Sequence, residues 1–278
     1  MKGVIIAAGY GTRFLPVTKT VPKEMLPVIN KPCIDFIVEE FLASGIKEIL
    51  ILTSRRKKAL DDYFDREVEL GVKASEADIF FKRQTEMKGT GHALLQVKAF
   101  VGNEPFVVAY PDDLHMGEIP LAAQLVRKYE ETGCSVMSAL HNPPHLERYG
   151  VIKPSADGLH VEDIVEKPAP GTEPSKEVSI GRYLFTPEIF EYLEEGWKKH
   201  CEENSKGEYF HVYALKKLMD MKKMVYTVIE GERLDTGTPE GYLRAIIRYA
   251  ASIPEYRAPH ISRGRCKPHS SKRGSFSA

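Results

Sequence analysis

The sequence predicts an α/β fold in which helices flank a mostly parallel central sheet. Short apolar runs bounded by glycine or proline alternate with segments of helical periodicity in the first half of the chain. Two of those runs, Val4–Ala8 and Phe106–Tyr110, lead directly into the polar loops Gly9–Arg13 and Pro111–Asp113. In a parallel sheet such loops lie at the carboxyl ends of the strands, where ligands bind. A chain of 278 residues is long enough to bury a complete core around that sheet.

The first half supplies most strands of the predicted sheet and the helices that cover it. Val4–Ala8 is predicted to be a buried strand because it is apolar throughout and is followed by glycine. Apolar residues from Ile34 to Leu42 recur at helical spacing, and Gly45 is a suitable helix stop. The other predicted strands are 48–53, 79–81, 106–110 and 134–140, and the other predicted helices are 55–65, 92–100 and 119–132. Strands separated by helices favour right-handed parallel crossovers.

The second half is less regular and is predicted to form a smaller, β-containing part. Short β segments are expected within 149–166 and strands at 179–185 and 224–230. A helix is expected to begin at 188–193, a second helix is expected at 213–221, and a polar loop at 198–208. Thr238 is a suitable helix N-cap, with Pro239 at the first helical position and Glu240 in the first turn. A last helix is therefore expected to run to about Ala251.

Residues 252–278 differ in composition from the rest of the chain. They are rich in Arg, Lys, Ser, His and Pro, and Glu255 is their one acidic residue. Such a segment cannot bury enough apolar surface to order itself, so we predict a basic, disordered tail. Docking of this tail on an anion or on a neighbouring subunit is the alternative.

Charge, cysteine content and hydropathy argue against several classes of protein. The 39 basic and 39 acidic residues balance, so nucleic acid and membranes are not predicted as partners. No apolar run approaches the ~18 residues of a membrane span. The four cysteines, Cys33, Cys134, Cys201 and Cys266, include no Cys-x-x-Cys pair, which argues against structural zinc and against a disulfide framework. Reduced thiols of this kind favour a cytoplasmic protein.

The loop after the first strand has the features of a triphosphate-binding site. Gly9 and Gly11 let backbone N–H groups approach an anion closely, and Arg13 and Lys23 add fixed positive charge. The loop is not a dinucleotide fingerprint, because Phe14 stands where the third glycine is required, and it lacks the Gly-Lys-Ser/Thr of a Walker A loop. A tight turn between strand and helix is the alternative, but it does not explain two glycines together with two basic residues.

The first 27 residues closely resemble the signature of the sugar-nucleotide pyrophosphorylase family. The matching segments are Gly-Tyr-Gly-Thr-Arg-Phe-Leu-Pro at 9–16 and Pro-Lys-Glu-Met-Leu-Pro at 22–27. The Lys-Glu-Met-Leu-Pro ending resembles the bacterial UTP–glucose-1-phosphate uridylyltransferases (UDP-glucose pyrophosphorylases), whereas the related thymidylyltransferases more often carry Lys-Gln-Leu-Leu-Pro. Further motifs extend the resemblance to about residue 250. It implies a Rossmann-like nucleotidyltransferase fold over residues 1–251, with a nucleotide-binding part at about 1–140 and a sugar-phosphate-binding part at about 141–251.

Nucleotidyl transfer is an in-line displacement at the α-phosphorus by a phosphate oxygen that is already ionised. The protein must align two polyanions and neutralise the departing pyrophosphate, and it needs neither a strong base nor a covalent nucleophile. A carboxylate-held Mg²⁺ with several lysine or arginine side chains meets that need. The resemblance implies that Arg13, Lys23, Asp112 and Lys167 form the catalytic set.

Two aspartates are candidates for the Mg²⁺ site. Asp112 directly follows a buried strand, and Asp235 lies in Leu-Asp-Thr-Gly-Thr-Pro; the resemblance implies that both bind the metal. Asp113 is a candidate for a supporting position beside them. A turn or N-cap role is the alternative for Asp112, and an Asx turn before Thr238 is the alternative for Asp235.

The resemblance also assigns residues to the two substrates. Gln84 offers both a donor and an acceptor to a uracil edge, and Gly89 lets a base lie against the backbone. On the sugar side, Glu166 accepts from hydroxyl groups and Lys167 binds the phosphate. The predicted nucleotide-binding residues are Ala8, Gly9, Gly11, Thr12, Glu24, Gln84 and Gly89, and the predicted sugar-phosphate-binding residues are Gly150, Glu166, Lys167 and Gly181. The alternatives are a glycine-capped loop around Gly89 and an ordinary surface Glu-Lys pair at 166–167.

The implied reaction is the transfer of uridylyl from UTP to glucose-1-phosphate, giving UDP-glucose and pyrophosphate. A glucose-1-phosphate thymidylyltransferase or cytidylyltransferase is the alternative within the same class. A non-catalytic sugar-nucleotide sensor on the same fold is the alternative from another class, and the retained metal carboxylates and cationic residues argue against it. The expected partners are UTP, glucose-1-phosphate and further copies of the chain, as a dimer or tetramer.

Overall fold

A mixed sheet of nine strands lies at the centre of the computed structural model, which describes residues 1–65, 76–203 and 207–256. The strands are β1 (Lys2–Ile6), β2 (Pro27–Val28), β3 (Lys31–Pro32), β4 (Glu48–Thr53), β5 (Asp78–Arg83), β6 (Phe106–Ala109), β7 (Asp113–Met116), β8 (Ser135–His141), β9 (Gly150–Pro154), β10 (Val161–Glu166), β11 (Glu177–Phe185), β12 (Met224–Val228) and β13 (Glu232–Asp235). The helices are α1 (Cys33–Ala43), α2 (Lys58–Phe64), α3 (Gly89–Val101), α4 (Leu121–Thr132), α5 (Ile189–Glu202), α6 (Val212–Asp220) and α7 (Pro239–Ser252).

The half of the sheet built from the first part of the chain is parallel, as the sequence predicts. Its neighbouring strands run in the order β6-β1-β4-β5. The long strand β11 joins antiparallel to β6 and also pairs with β8 and β9, so the second half of the sheet is mixed. The sheet is completed by β10 beside β9 and by β12 parallel to β8.

The order in which strands are added to the sheet reverses at β1. From β1 it proceeds to β4 and β5 on one side, and then crosses to β6 on the other side. The loops that leave the carboxyl ends of β1 and β6 therefore face each other across a crevice, which is where ligands bind in open α/β sheets. The register pairs Ile5 with Ala109, so the two loops begin at the same level.

Alternate residues of the strands feed two apolar layers, one on each face of the sheet. Val4 and Ile6 pack with residues of α3, α5 and α6, whereas Ile5 and Ala7 pack with residues of α1, α4 and α7. These strand residues are almost wholly buried, so the sheet is covered on both faces. The continuous apolar runs that identified the strands in the sequence are a direct result of this double covering.

Most of the predicted elements are present, and the last helix begins as predicted. Thr238 is the N-cap of α7, Pro239 is in its first turn, and the Thr238 hydroxyl accepts a hydrogen bond from Gly241 N at 3.1 Å. The predicted loop at 198–208 is wrong at its start, because α5 continues to Glu202. Ion pairs one helical turn apart, such as Lys198 with Glu202, stabilise that polar extension.

The predicted disordered tail falls largely outside the described residues. Of residues 252–278, the structure describes those up to 256, where 254–256 form a 3-10 turn after α7. Across the three described ranges, no helix combines the length and the apolar character that crossing a bilayer requires.

A buried ion pair joins β11, α1 and α4. Arg182 Nε lies 3.0 Å from Glu40 Oε1, and Arg182 Nη2 lies 2.9 Å from Glu40 Oε2. The guanidinium and the carboxylate are 1% and 7% exposed. Glu40 Oε1 also accepts from Ala122 N at 3.1 Å, so the first turn of α4 is fixed to the same carboxylate. Two parallel bonds of this kind are geometrically specific as well as strong.

Removing the cation from this pair should destabilise the fold. We expect Arg182→Met to lower the free energy of unfolding by about 3–5 kcal/mol, because Glu40 would keep a buried charge without its partner. Urea denaturation followed by circular dichroism measures the change. Arg244→Met is the control, since its pair with Glu240 is exposed at 78% and 77%, and it should leave the midpoint unchanged. Equal midpoints for the two variants would contradict this account.

Candidate active site

The loops after β1 and β6 bring a lysine and an aspartate together. Lys23 Nζ lies 2.5 Å from Asp112 Oδ2, across 89 positions of sequence. Burial opposes ionisation of Asp112, but Lys23 and then Arg13 hold the pKa of its carboxyl below the ordinary value. Asp112 is therefore a carboxylate at neutral pH, as a metal ligand must be.

The second predicted metal carboxylate lies beside the first. A β-carbon placed on Gly237 would lie 3.0 Å from Asp112 Oδ2, 3.1 Å from Asp235 Oδ1 and 3.6 Å from Arg13 Nη1. The hydrogen bond from Thr236 N to Asp112 O, at 2.8 Å, fixes the Asp235 loop in this position. Arg13 Nη1 also approaches Gly237 O at 3.4 Å. Two carboxylates and one guanidinium thus surround a gap that any side chain at position 237 would fill.

This gap has the chemistry that Mg²⁺ requires. Mg²⁺ is usually held by one or two carboxylates and completes its octahedral shell with substrate phosphates and water. Asp112 and Asp235 supply two carboxylates on one side of the crevice. Within 1–65, 76–203 and 207–256 there is no group of three or more His, Cys, Asp or Glu residues arranged to hold a metal by protein ligands alone. The donor set therefore fits a metal that is shared with a phosphate substrate.

The predicted contact of Glu24 with nucleotide is corrected by the structure. The Glu24 side chain is buried at 1% exposure, and both of its oxygens accept hydrogen bonds from Lys57 Nζ at 2.8 Å. Lys57 Nζ also donates to Ala7 O at 2.5 Å. The carboxylate thus has an internal partner and no open surface for a ligand. This buried ammonium instead joins the end of β1, which leads into Ala8 and Gly9, to the loop that carries Lys23.

Gln84 lies at the carboxyl end of β5, on the wall of a cavity of about 580 Å³. Tyr10, from the first loop, lines the same cavity, so the two predicted nucleotide-binding segments share one space. Gln84 Nε2 lies 3.4 Å from Gly89 O and 3.2 Å from His92 Nδ1, which fixes the orientation of the amide. Gln84 is 3% exposed, so it contributes only a small part of its surface to the cavity wall.

The structure gives a different reason for the glycines at 89 and 91. The segment is not a loop but the first turn of α3, and a β-carbon on Gly89 would lie 2.5 Å from Tyr209 O. Gly91 N donates to that carbonyl at 2.9 Å. Thr90 Oγ1 lies 2.7 Å from His211 Nδ1, and burial lowers the pKa of His211 to about 4, so the imidazole is neutral. The glycines therefore allow close packing against the second half of the chain.

The predicted sugar-side residues form a second group, on β9 and β10. Gly150 and Glu166 are cross-strand partners, and a β-carbon on Gly150 would lie 3.1 Å from Glu166 Oε2. Lys167 follows with φ of 47°, a left-handed conformation that is uncommon for a side-chain-bearing residue. Its N–H donates to Tyr149 O at 2.9 Å, and Lys167 Nζ lies 3.6 Å from Glu166 Oε1. Both charged side chains are exposed, as ligand-binding groups require.

Gly181 and Asp113 lie between the sugar-side group and the metal carboxylates. Gly181 occupies an irregular part of β11, and its N–H donates to Asp113 Oδ2 at 2.8 Å. Arg233 Nε contacts Asp113 Oδ1 at 2.5 Å. Asp113 is thus a buried connecting carboxylate and not a metal ligand. Arg233 Nη1 also lies 3.6 Å from Asp235 Oδ2.

Two of these residues were not singled out from the sequence. Lys57 lies in the basic run 55–58, which has the composition of a solvated surface. Arg233 precedes Asp235 by two positions, and on a strand that spacing puts both side chains on one face. The two-residue spacing could therefore have identified Arg233 as a neighbour of Asp235. The burial of Lys57 depends instead on Glu24, which lies 33 residues away in sequence.

Comparison with known proteins agrees with this geometry. The family model for nucleotidyl transferase matches residues 2–252. The UTP–glucose-1-phosphate uridylyltransferase of Staphylococcus epidermidis is 42% identical over 275 residues, covering 91% of this chain and 93% of that protein. The enzyme of the same name from Bacillus subtilis is 39% identical over 276 residues, covering 92% of this chain and 93% of its own.

A solved structure resembles the chain over a similar extent. The crystal structure of a UDP-glucose pyrophosphorylase complexed with UDP-glucose is 36% identical, with a TM-score of 0.79, and covers 91% of this chain and 99% of its own. Family model, relatives and solved structure agree over nearly the whole chain. The chain therefore belongs to the nucleotidyl transferase family.

Proposed function

We propose that this protein transfers the uridylyl group of UTP to glucose-1-phosphate, releasing pyrophosphate and forming UDP-glucose. The observation that carries the proposal is the meeting of Lys23, Arg13, Asp112 and Asp235 around one gap at the carboxyl ends of β1 and β6. This arrangement fits a bound triphosphate and a divalent cation. The relatives that share nearly the whole chain are named for this reaction.

We assign Asp112 and Asp235 to Mg²⁺, which when bound would neutralise developing charge on the phosphates. Arg13 and Lys23 are placed to face the β- and γ-phosphates and to stabilise the departing pyrophosphate. The N–H groups of the Gly9–Arg13 loop orient the triphosphate, and Gly11 suits this purpose because its φ of 67° is left-handed. The attacking phosphate oxygen needs no base, so the rate enhancement comes from alignment of the two substrates and from neutralisation of their charge.

Glu166 and Lys167 recognise the sugar phosphate in this proposal. A carboxylate can accept from two neighbouring hydroxyl groups, and a compact ammonium suits a phosphate. The Tyr149 carbonyl holds the Lys167 backbone at 2.9 Å, which fixes the direction in which the side chain leaves the strand. Gly150 lies opposite Glu166, and the absence of a side chain at Gly150 leaves room for the Glu166 carboxylate over the strand.

The cavity beside Gln84 and Tyr10 is assigned to the uracil base. An amide oxygen can accept from the N3–H of either uracil or thymine, so this contact alone does not separate UTP from dTTP. Thymidylyl or cytidylyl transfer is the second candidate in the class. A sensor is disfavoured because binding alone does not call for two carboxylates held beside two cations.

We also propose a cytoplasmic homo-oligomer. Leu243 and Ile247 are one turn apart on α7 and are 58% and 61% exposed, an apolar pair that a second copy would cover. Cys33, Cys134 and Cys201 are free thiols, the state that the cytoplasm maintains. Light scattering after size-exclusion chromatography tests the oligomeric state.

The first test removes one metal carboxylate. Asp112→Asn should lower kcat by at least two orders of magnitude, since it loses several kcal/mol of charge stabilisation in the transition state. Pyrophosphate release at saturating Mg²⁺ measures the effect, and unchanged circular dichroism shows that the fold persists. Asp163→Asn, at a surface aspartate paired with Lys216, is the matched control. Near-normal turnover of Asp112→Asn would remove Asp112 from the metal site.

The second test separates the two substrates. Lys167→Ala should raise the KM for glucose-1-phosphate at least tenfold while leaving UTP affinity within about twofold, because one charged contact contributes about 1.5–3 kcal/mol. Calorimetric titration with UTP and steady-state kinetics measure the two effects. Lys153→Ala, at an exposed lysine paired with Glu162, should change neither. An equal loss for both substrates would contradict the division of roles.

The third test concerns the choice of nucleotide. UTP should be preferred to dTTP. Exclusion of the methyl group contributes only about 1–3 kcal/mol to this discrimination, and a hydrogen bond to the 2′-hydroxyl contributes more. dUTP, which lacks only that hydroxyl, should therefore also be a poor substrate. Values of kcat/KM for UTP, dUTP and dTTP separate the two contributions. If dTTP equals or exceeds UTP, the protein is a thymidylyltransferase.

A further inference from the structure

The short ribbon formed by β7 and β13 places two aspartates directly opposite each other. Its antiparallel register pairs Asp235 with Asp113. Like charges at facing positions of a ribbon repel and destabilise the pairing. Arg233 lies two residues before Asp235, so it projects from the same face of β13 and reaches both carboxylates. The arginine offsets a repulsion that the register creates.

The contacts of Arg233 show how the two carboxylates are held. Its Nε lies 2.5 Å from Asp113 Oδ1, and its Nη1 lies 3.6 Å from Asp235 Oδ2. The Arg233 side chain is 16% exposed and that of Asp113 is 10% exposed, so water screens the close pair weakly. Asp235 Oδ1 accepts a hydrogen bond from Gly237 N at 2.8 Å, in an Asx turn, and lies on the side of the loop where Asp112 Oδ2 also lies.

The second oxygen of Asp113 connects this ribbon to the sugar side. Asp113 Oδ2 accepts from Gly181 N at 2.8 Å, where the pairing of β11 with β8 is irregular. A β-carbon at Gly181 would lie 2.8 Å from the same oxygen, so only glycine permits this approach. The Arg233 guanidinium also lies 6.0 Å from the ring centre of Tyr149, whose carbonyl holds Lys167.

We propose that Arg233 and Asp113 are positioning residues, whose ion pair aligns the Asp235 carboxylate with the metal and the Gly181 backbone with the sugar. The inference rests on the proposed function. One ion pair thereby sets the distance between the metal site and the sugar site. Neither residue contacts the reacting phosphates, so their loss should act through Asp235 and Gly181.

The test uses Arg233→Lys, which keeps the charge but loses the planar fork that reaches two carboxylates. Loss of such a supporting contact typically weakens metal binding by 10–100-fold. We expect Mn²⁺ affinity, measured by electron paramagnetic resonance with UTP present, to fall at least tenfold. Asp113→Asn, which frees Arg233 by a different change, should weaken Mn²⁺ binding in the same direction.

Two control variants separate positioning from general stability. Arg248→Lys changes an arginine of α7 that pairs with Glu232 of β13 and is not paired with Asp113 or Asp235. This variant should bind Mn²⁺ like the unmodified chain. Leu218→Ala, at a buried core residue of α6, should lower the melting temperature without changing Mn²⁺ affinity. Together they show whether weaker metal binding follows from loss of stability.

Two results would overturn the proposal. One is a lower melting temperature of Arg233→Lys with unchanged Mn²⁺ affinity, which would make the ion pair purely structural. The other is a higher KM for glucose-1-phosphate with unchanged Mn²⁺ affinity, which would limit Arg233 to the sugar side and remove its role in aligning Asp235. The proposed function fails differently, because it fails when the unmodified protein forms no UDP-glucose, while the Mn²⁺ measurement does not depend on turnover.

Discussion

The parallel pairing of β1 with β6 is the constraint on which the site depends. Because the chain reaches β6 only after it has built β4 and β5 on the opposite side, the loops after β1 and β6 diverge and leave a crevice between them. The β1 loop is rich in glycine and basic residues, and the β6 loop ends in aspartate. The pairing therefore sets a glycine-rich, basic loop against Asp112, which we propose as a metal ligand.

Charge compensation then decides how each acidic group is held. Asp112 faces Lys23, Glu24 faces Lys57, and Asp113 faces Arg233. The two more deeply buried pairs leave no acid without a cation, as burial of charge requires. Asp112 and Asp235 differ from Glu24 and Asp113, since both border the gap beside Gly237, where we propose that the metal binds. Access to that gap thus separates the two proposed metal ligands from the carboxylates that are held by internal partners alone.

The sequence predicted the parts of the fold that local physics determines. The strand Val4–Ala8 and the cap at Thr238 depend on neighbours in sequence, and both are present, although β1 itself ends at Ile6. The β7–β13 ribbon was missed because its strands have only four residues each, are partly polar and pair across more than 100 positions. Glu24 was assigned to nucleotide on the family resemblance, and its burial was not foreseen because its partner Lys57 lies in a basic run that looks exposed. Both the ribbon and the Glu24–Lys57 pair depend on contacts between distant parts of the chain, which local sequence patterns do not reveal.

The packing of Tyr209 against the start of α3 bears on how this protein can be divided. Tyr209 N donates to Lys88 O at 2.8 Å and its carbonyl accepts from Gly91 N, so the first turn of α3 is held by both halves of the chain. A fragment ending near residue 140 would keep Gln84 and the first loop but lose this brace and the β11 neighbour of β6. Exchanging nucleotide halves between related enzymes would therefore require carrying the 207–211 segment along with the donor half. The two parts of the chain are therefore not independent where Tyr209 contacts the start of α3.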